Sequence, residues 1–179
     1  MMFLNEYEGL EARIVDLFSK TFTASEGLDE GHIIGDLVCR LLNNTPKQDI
    51  YTFIAEDEGE IVGGAIFSRL IYSDDPRSVF ILSPMAVISE RQGQGIGQAF
   101  LRHALTQLRG SGVDVAITYG DPAFYEQVGF LPLEVNKAAS PLPLSFPEGW
   151  VGQSLGENEL LPLQGACSCV AALNDPAIW

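Results

Sequence analysis

The chain has 179 residues, of which 46% are hydrophobic and 19% charged, and its formal net charge at pH 7 is −14. The 24 carboxylates outnumber the ten lysines and arginines, so the chain cannot easily form the basic surface that binds a nucleic-acid backbone. No segment has the roughly 20 consecutive apolar residues that are needed to span a bilayer. We expect one folded domain in the cytoplasm, with no nucleic-acid or membrane partner and with a homodimer left open.

Two helices and a hairpin are predicted in the first part of the chain. Apolar residues recur at helical spacing from Glu8 to Phe22 and again from about Glu30 to Leu42. Two β-rich runs then follow within residues 50–73, and the acidic residues 57–60 separate them. Because strands joined by a short polar turn pair with each other, this pattern indicates a β-hairpin.

The middle of the chain predicts a strand, a helix and a second strand. The apolar run from Val79 to Ile88 is typical of a buried strand. Because proline removes a ladder donor, Pro84 indicates either a strand edge or a bulge, and we favour the bulge. The helical period from Ile96 onward predicts a helix that ends at residues 110–112, and residues 113–119 are interpreted as a strand. The two strands should be parallel and joined by a right-handed crossover.

The last third of the chain is less regular. A predicted N-cap at Asp121, followed by proline, starts a short helix. Further strands are predicted at residues 130–135 and 167–173, and a proline- and glycine-rich excursion over residues 138–164 lies between them. This order of elements predicts an α/β fold with a mixed central sheet and helices on both faces.

The three cysteines do not indicate a disulfide framework or a metal site. Cys167 and Cys169 lie two residues apart, on one face of any strand, and the chain has no second such pair. His32 and His103 are its two histidines. We expect no bound metal and interpret the cysteines as small buried thiols in a reducing compartment.

A run of alternating glycines lies between the apolar strand and the helix that follows it. Gly93, Gly95 and Gly97 remove the Cβ atoms that would crowd the backbone, so the N–H groups from Gln92 through Ile96 can surround an anion. The first turn of the helix adds unpaired donors and the positive end of its dipole. A pyrophosphate would fit this turn, although glycines that only redirect the chain give the same pattern.

Two well-known nucleotide-binding motifs do not match this turn. A dinucleotide fingerprint would require glycine at Gln98 or Phe100, and a P-loop would require Gly-Lys followed by Ser or Thr. A regulator that binds ATP or NAD through the turn is therefore a remote alternative.

Residues 85–101, MAVISERQGQGIGQAFL, resemble the acetyl-CoA motif of the Gcn5-related N-acetyltransferase (GNAT) superfamily, and Gln92, Gly95 and Gly97 match its signature. A second segment, FYEQVGF at residues 124–130, is similar to the aromatic-Tyr-Glu-x-x-Gly-Phe segment of the same superfamily. Within the superfamily, the segments ILSPMAV and YGDPAFYEQVGF resemble a group of predicted acetyltransferases related to YhbS.

The resemblance covers about residues 3–135 and implies an acetyl-CoA-binding core over residues 1–135, with residues 136–179 as an extension of the same domain that completes the sheet. It implies that acetyl-CoA is the acyl donor and that the backbone of the strand before the turn pairs with its pantetheine arm, as an added strand would. Arg91 is a candidate for a phosphate contact. The residues that the resemblance implies for cofactor binding are Met85, Ala86, Val87, Gln92, Gly93, Gln94, Gly95, Ile96, Gly97 and Gln98.

The resemblance also implies that Tyr125 protonates the departing CoA thiolate, a role that suits a phenol because its pKa lies near that of a thiol. The general base is not identified, since the strand before the turn offers Ser83 where relatives often carry glutamate. Some relatives have an asparagine at the position of residues 118–121 that contacts CoA. This chain has no asparagine there, so the resemblance does not assign that contact to any residue. The candidate bases, each of low individual weight, are Glu56, Asp57, Asp74, Asp75 and Glu126.

We expect an N-acetyltransferase in which a primary amine attacks the thioester directly in a ternary complex. The negative charge favours a cationic acceptor, either a small molecule or a protein amine. Phe146, Trp150 and Trp179 are candidate walls of the acceptor pocket, or alternatively aromatic cover over the sheet. A non-catalytic acyl-CoA sensor on the same fold is the alternative, because no base is evident.

Overall fold

The computed structural model describes residues 1–179 and contains four α-helices and eight β-strands. The helices are α1 Glu11–Glu26, α2 Leu28–Asn44, α3 Ile96–Gly110 and α4 Pro122–Glu126. The strands are β1 Met2–Leu4, β2 Ile50–Asp57, β3 Glu60–Tyr72, β4 Val79–Val87, β5 Val115–Tyr119, β6 Leu131–Pro132, β7 Trp150–Ser154 and β8 Cys167–Cys169. None of the four helices combines the length and the hydropathy that a bilayer crossing requires.

All eight strands belong to one mixed sheet, in the order β1-β2-β3-β4-β5-β7-β6, with β8 paired to β3. Strands β4 and β5 are parallel, with α3 between them along the chain, whereas β7 is antiparallel to both β5 and β6. The predicted α/β fold with a mixed sheet is therefore confirmed, as is the parallel pairing of the two central strands.

The β2–β3 hairpin has the predicted position and a two-residue turn. Glu58 has φ of 52° and Gly59 has φ of 84°. Two consecutive positive φ angles are the requirement of a type I′ turn, whose twist matches that of the paired strands. The guanidinium of Arg13 donates to the Gly59 carbonyl at 2.9 Å, which ties α1 to this turn.

Helices α1 and α2 approach each other closely because glycine faces the contact. A Cβ atom at Gly31 would lie 1.8 Å from Oγ1 of Thr23 and 2.7 Å from the carbonyl oxygen of Ser19. A Cβ atom at Gly35 would lie 3.1 Å from that of Ser19. The two glycines, one helical turn apart, thus allow a backbone separation that a larger residue would prevent.

The chain divides into two compact units, and each contains part of the sheet. Residues 1–67 and 84–104 form the first unit, and residues 68–83 and 105–179 form the second.

Each unit has its own aromatic core. In the first unit Phe53 and Phe67 meet edge to face, with ring centroids 5.9 Å apart, and both are almost completely buried. In the second unit Phe80, Phe130 and Trp150 are buried to the same degree. Burial of each such ring contributes roughly 2–3 kcal/mol relative to an exposed position.

The predictions were less accurate at the ends of the chain. Strands β1 and β7 were not predicted, because β1 has three residues and β7 lies inside the segment interpreted as an irregular excursion. The strand predicted over residues 130–135 has two paired residues, and that predicted over residues 167–173 ends at Cys169. A 3₁₀ turn occupies Ala171–Leu173, so this apolar run pairs only over its first half.

Candidate functional site

The glycine turn between β4 and α3 is open to solvent. Gly93 has φ of 72° and Gly95 has φ of 77°, values that favour glycine over any residue with a side chain. A Cβ atom at either position would meet no heavy atom within 4 Å. The backbone conformation, and not crowding by neighbouring atoms, therefore requires these two glycines, and their backbone is accessible.

Helix α3 begins directly behind this turn. Its first hydrogen bond is donated by Ala99 to the carbonyl of Gly95 at 3.1 Å. The N–H groups of Ile96 and Gly97 precede that bond and so have no acceptor within the helix. The first turn of α3 carries no acidic residue, and the helix dipole places partial positive charge there. This combination is a general anion-binding arrangement.

Gln92 fastens the turn to the end of β4. Its side-chain amide donates to the carbonyl of Val87 at 2.8 Å, and its backbone N–H donates to the carbonyl of Ser89 at 3.3 Å. The predicted run of free donors from Gln92 through Ile96 is therefore corrected and starts at Gly93. The carbonyl of Val87 likewise already has a partner within the chain.

Arg91 is bound to a carboxylate through one of its guanidinium nitrogens, and its role as a phosphate contact stays a prediction. Its guanidinium lies 2.6 Å from Oδ2 of Asp57, while Oδ1 of Asp57 lies 3.1 Å from the amino group of Met1. The hydrogen bond from that amino group, with the charge of Arg91, lowers the pKa of Asp57. A carboxylate with a lowered pKa is a weaker base, so Asp57 is a poor candidate for the general base.

Strand β4 extends beyond its pairing with β5. The parallel register runs from the pair Val79 and Val115 to the pair Leu82 and Thr118, whereas β4 itself continues to Val87. Residues 83–87 therefore lie beyond the parallel ladder. Within this segment the side chains of Ala86 and Val87 are buried and that of Met85 is partly exposed, so the interpretation of these side chains as packing residues is consistent with the structure.

Tyr125 lies on α4, whose N-terminus is capped as predicted. Oδ1 of Asp121 accepts from the backbone N–H of Ala123 at 3.0 Å. The Tyr125 ring packs edge to face on Phe130, with centroids 5.6 Å apart. Burial raises the pKa of the Tyr125 phenol, and the nearby Thr118 side chain opposes that rise. The phenol is therefore protonated at neutral pH.

Gly120 leaves room for the Tyr125 side chain. A Cβ atom at Gly120 would lie 3.0 Å from Cε2 of Tyr125 and 3.8 Å from its hydroxyl oxygen. Contacts this short require the aromatic ring to shift by a few tenths of an ångström. Gly120 therefore has a packing role toward Tyr125 that was not predicted from the sequence.

A second candidate base is also engaged in an ion pair. The carboxylate of Asp75 binds Arg77 through both oxygens, with N–O distances of 2.9 and 2.6 Å, and its pKa is lowered well below the ordinary range, chiefly by the hydrogen bonds from Arg77. Glu56, Asp74 and Glu126 carry no such pair with arginine, so they stay as predictions.

The C-terminal aromatic residues divide into two kinds. Trp150 and Trp179 are buried, and their indole N–H groups donate to the carbonyls of Ala138 and Leu173. These two residues fit the interpretation as cover over the sheet. Phe146 is 66% exposed and is free to contact a ligand.

The histidines and cysteines form no cluster. No group of three His, Cys, Asp or Glu side chains is arranged to hold a metal ion. The ring of His103 packs on Phe3, with centroids 5.4 Å apart. Cys39 is exposed, which corrects the expectation of buried thiols, and Cys167 and Cys169 are partly buried. Burial raises the pKa of Cys167 to about 11, so its thiol is protonated.

Comparison with known proteins agrees with these features. The family model described as Acetyltransferase (GNAT) domain matches residues 48–132. The chain is 33% identical over 125 residues to an uncharacterized N-acetyltransferase, YjhQ, of Escherichia coli strain K12, a match that covers 67% of this chain and 69% of that protein.

Two solved structures share the fold. The GNAT-family N-acetyltransferase YhbS from Escherichia coli, in complex with CoA, superposes with a TM-score of 0.83 at 20% identity, over 99% of this chain and 93% of that one. A GNAT-family acetyltransferase from Brucella melitensis in complex with acetyl-CoA superposes with a TM-score of 0.70 at 23% identity, over 97% of each chain.

Proposed function

Because the chain belongs to the GNAT family of acetyltransferases, we propose that it transfers an acetyl group from acetyl-CoA to a primary amine. The observation that carries this proposal is the glycine turn. Its residues Gly93 and Gly95 have positive φ, and their backbone is accessible directly before the N-terminus of α3. A pyrophosphate is an anion of the size and charge that such a turn accommodates.

The acyl donor would be held by backbone groups more than by charged side chains. In this proposal the N–H groups of Gly93 through Gly97 bind the pyrophosphate, and Gln94 and Gln98 flank it. The backbone of Met85, Ala86 and Val87 lies on the part of β4 beyond the β5 ladder and would pair with the pantetheine arm. Backbone donors suit this chain because its net charge of −14 repels anions at long range.

The transfer itself breaks one bond and forms one. A bond forms between the amine nitrogen and the acetyl carbon, and the carbon–sulfur bond breaks, so that CoA leaves as a thiolate. Tyr125 gives its phenolic proton to that thiolate and regains a proton from water. The nitrogen loses one proton to a base or to solvent. The raised pKa of Tyr125 keeps the phenol protonated at neutral pH and also makes it a weaker acid than an unburied tyrosine.

The acceptor in this proposal is a cationic amine, either a small molecule or an amino group of a protein. The excess of carboxylates would attract it, and it must lose a proton before attack. Phe146, with its exposed ring, is available to contact it. We place the acetyl-CoA core in residues 1–135 and treat residues 136–179 as part of the same domain.

The proposal is tested by calorimetric titration with acetyl-CoA of the parent chain and of the variants Gly95→Glu and Gly112→Glu. Gly112 is a matched control because it also has a positive φ, 84°, with no heavy atom within 4 Å of a Cβ position, but it lies at the other end of α3. We expect binding by the parent and by Gly112→Glu and loss of binding in Gly95→Glu. Absence of binding by the parent would refute the proposal.

A second measurement separates the enzyme from the sensor. Release of free thiol is followed with acetyl-CoA and a panel of primary amines, including polyamines, aminoglycosides and lysine peptides. Turnover above the rate of hydrolysis without amine supports acetyl transfer. Tight CoA binding with no release for any amine would instead support the non-catalytic sensor.

A further inference from the structure

We propose that the second compact unit contains a binding site for an alkylammonium ion, that is, a short alkyl chain with a protonated primary amine. The site is a cleft of about 470 Å³, and all the residues that line it belong to that unit and lie between positions 129 and 162. Its size is typical of sites that hold small molecules. No residue of the glycine turn lines this cleft, and the proposal does not depend on acetyl transfer.

The first lining segment contains β6, the last strand in the order of the sheet, and the residues that follow it. Leu131 pairs with Gly152 of β7, and the backbone N–H of Leu133 donates to the carbonyl of Trp150 at 2.9 Å. The indole of Trp150 in turn donates to the carbonyl of Ala138 at 2.9 Å. This segment is therefore fixed to the buried Trp150 at two points, while the side chain of Leu131 is 62% exposed.

The second lining segment, residues 158–162, is held by Arg77. The guanidinium donates to the carbonyls of Leu161 and of the proline after it, at 3.0 and 2.7 Å. Directly beyond the segment, the backbone N–H of Leu163 donates to the carbonyl of Lys137 at 2.7 Å, which connects the two lining segments. The cleft is therefore formed without a ligand, and Leu161 is 66% exposed although its backbone is bound.

The apolar part of the cleft would hold the alkyl chain. Leu131 and Leu161 are among the most exposed large apolar side chains of the protein, and both line this one cleft. Exposed apolar side chains that are grouped in this way are typical of ligand-binding grooves. A Cβ atom at Gly152 would lie 2.7 Å from Cδ1 of Leu133, so glycine allows this leucine to pack directly on β7. An alkyl chain in the cleft would remove these surfaces from water.

The charges that line the cleft favour a cation. Lys137 is the only basic lining residue, and its ammonium group binds Oε1 of Glu134 at 2.9 Å. Glu159 is the second carboxylate of the lining, and its side chain has no ion-pair or hydrogen-bond partner within the chain. The lining therefore has one negative charge in excess, on a chain whose net charge is −14. This charge attracts an ammonium group and repels the carboxylate of a fatty acid.

The proposal is tested by ¹H–¹⁵N NMR titration of the full-length chain with hexylammonium chloride, in the absence of acetyl-CoA. Sodium hexanoate and 1-hexanol are the comparison probes, since they have the same chain length with a negative charge and with no charge. We expect saturable shifts at residues 129–138 and 152–163, and a Kd for hexylammonium at least about five-fold below that for hexanoate. Absence of saturable shifts in these two ranges, or equal Kd values for the two ions, would overturn the proposal.

The role of the carboxylate is tested with two glutamine variants. Glu159→Gln should raise the Kd for hexylammonium about three-fold and leave that for 1-hexanol unchanged. Glu157→Gln is the matched control, because Glu157 is also exposed but does not line the cleft. The control should change neither Kd, and equal effects of the two variants would show that only the overall charge of the chain matters and would overturn the proposal.

The role of the apolar surface is tested with two serine variants. Leu161→Ser should raise the Kd for hexylammonium and for 1-hexanol about five-fold, because the alkyl chain loses an apolar contact. Leu28→Ser is the matched control, since Leu28 is 60% exposed and lies on α2, outside the cleft. Both leucines are exposed, so neither variant should unfold, and equal effects of the two variants would overturn the proposal.

The result is independent of the proposed acetyl transfer, because no acetyl-CoA is present in the titration. A chain that fails to bind acetyl-CoA can still show the shifts, and a chain that acetylates amines can still lack them. Shifts confined to residues outside the two lining segments would show that hexylammonium binds elsewhere and would overturn the proposal while leaving acetyl transfer unaffected.

Discussion

The side-chain amide of Gln92 donates to the carbonyl oxygen of Val87 at 2.8 Å, so the start of the glycine turn is fastened to the last residue of β4. The signature glutamine therefore acts on the protein's own backbone in this structure. Its contribution to a ligand would be indirect, through the shape of the turn that follows.

Replacement of Gln92 by methionine removes this bond with little change in size. We expect the Kd for acetyl-CoA to rise about 5–10-fold, because a lost hydrogen bond of ~1 kcal/mol lets the turn sample conformations that do not bind. Calorimetric titration measures the change, and Gln107→Met, on the exposed side of α3, is the control. An unchanged Kd in the Gln92 variant would mean that the turn keeps its conformation without the hydrogen bond from Gln92 to Val87.

Replacement of Gly120 by alanine should lower kcat about five-fold with little effect on KM, because the added methyl group would lie 3.0 Å from the Tyr125 ring and displace its hydroxyl. Gly110→Ala is the matched control, since a Cβ atom there meets nothing within 4 Å. Initial rates of thiol release provide the comparison. Equal rates for the two variants would show that the Tyr125 ring can shift without slowing the reaction.

Asp75 connects two segments of the second unit. Besides its pair with Arg77, its carboxylate accepts from the backbone N–H of Gln164, and Arg77 donates to the carbonyls of Leu161 and Pro162. Asp75→Asn should lower the free energy of unfolding by about 1–2 kcal/mol, because the charge-assisted network loses its anion, while the partly exposed Arg77 can still bind water. Urea denaturation measures this change, with the exposed Asp36→Asn as the control.

The ion pair between Asp75 and Arg77 also predicts that the stability of the fold depends on pH. The pKa of Asp75 in the folded chain is lower than in the unfolded chain, where it lies at about 4. Its contribution is therefore complete above about pH 4 and is lost as the pH falls further. The parent should lose more stability than Asp75→Asn on acidification below that value, and parallel curves for the two proteins would contradict this prediction.

Gly31→Ala should destabilise the chain by about 2 kcal/mol or more, because a Cβ atom at this position would overlap the Thr23 side chain and the Ser19 carbonyl. Thr23→Ala in the same chain removes the nearest atom and should recover part of the loss. Thermal unfolding of the single and double variants measures both effects. A double variant no more stable than Gly31→Ala would place the conflict with the Ser19 carbonyl and the Cβ atom of residue 23, both of which the double variant keeps.

The central part of the fold was predictable because its signals are local. The hairpin turn at residues 57–60, the helical period after Ile96 and the Asp121-Pro122 cap each depend on neighbours along the chain, and each element formed where expected. Strand β7 could not be predicted in this way. Strand β7 forms because it pairs with β5, and every pair in that register joins residues more than 30 positions apart in the sequence. The five residues of β7 show no alternating hydrophobic pattern that would predict a strand.

In the candidate site, too, features set by neighbouring residues were predicted, and contacts between distant segments were not. The glycines of the turn were predicted from their alternating spacing, which reflects local backbone geometry, and Tyr125 was predicted from the family resemblance of residues 124–130. The partners of Arg91 and the contact of Gly120 with Tyr125 depend on how separate segments fold together, so the sequence pattern carried no signal for them. The sequence gives no sign that the Thr118 hydroxyl donates to the Leu82 carbonyl, because that bond depends on the two residues meeting at the last pair of the parallel ladder.

The strand order also bears on association between chains. The two outermost strands are the shortest in the ordered path, β1 with three residues and β6 with two, and Pro132 in β6 has no N–H group to donate. A second molecule adding at β1 or at β6 would find only two or three residues in that strand to pair with. Short outer strands are one of the ways in which proteins limit edge-to-edge pairing, so these two strands offer a second molecule little backbone to extend.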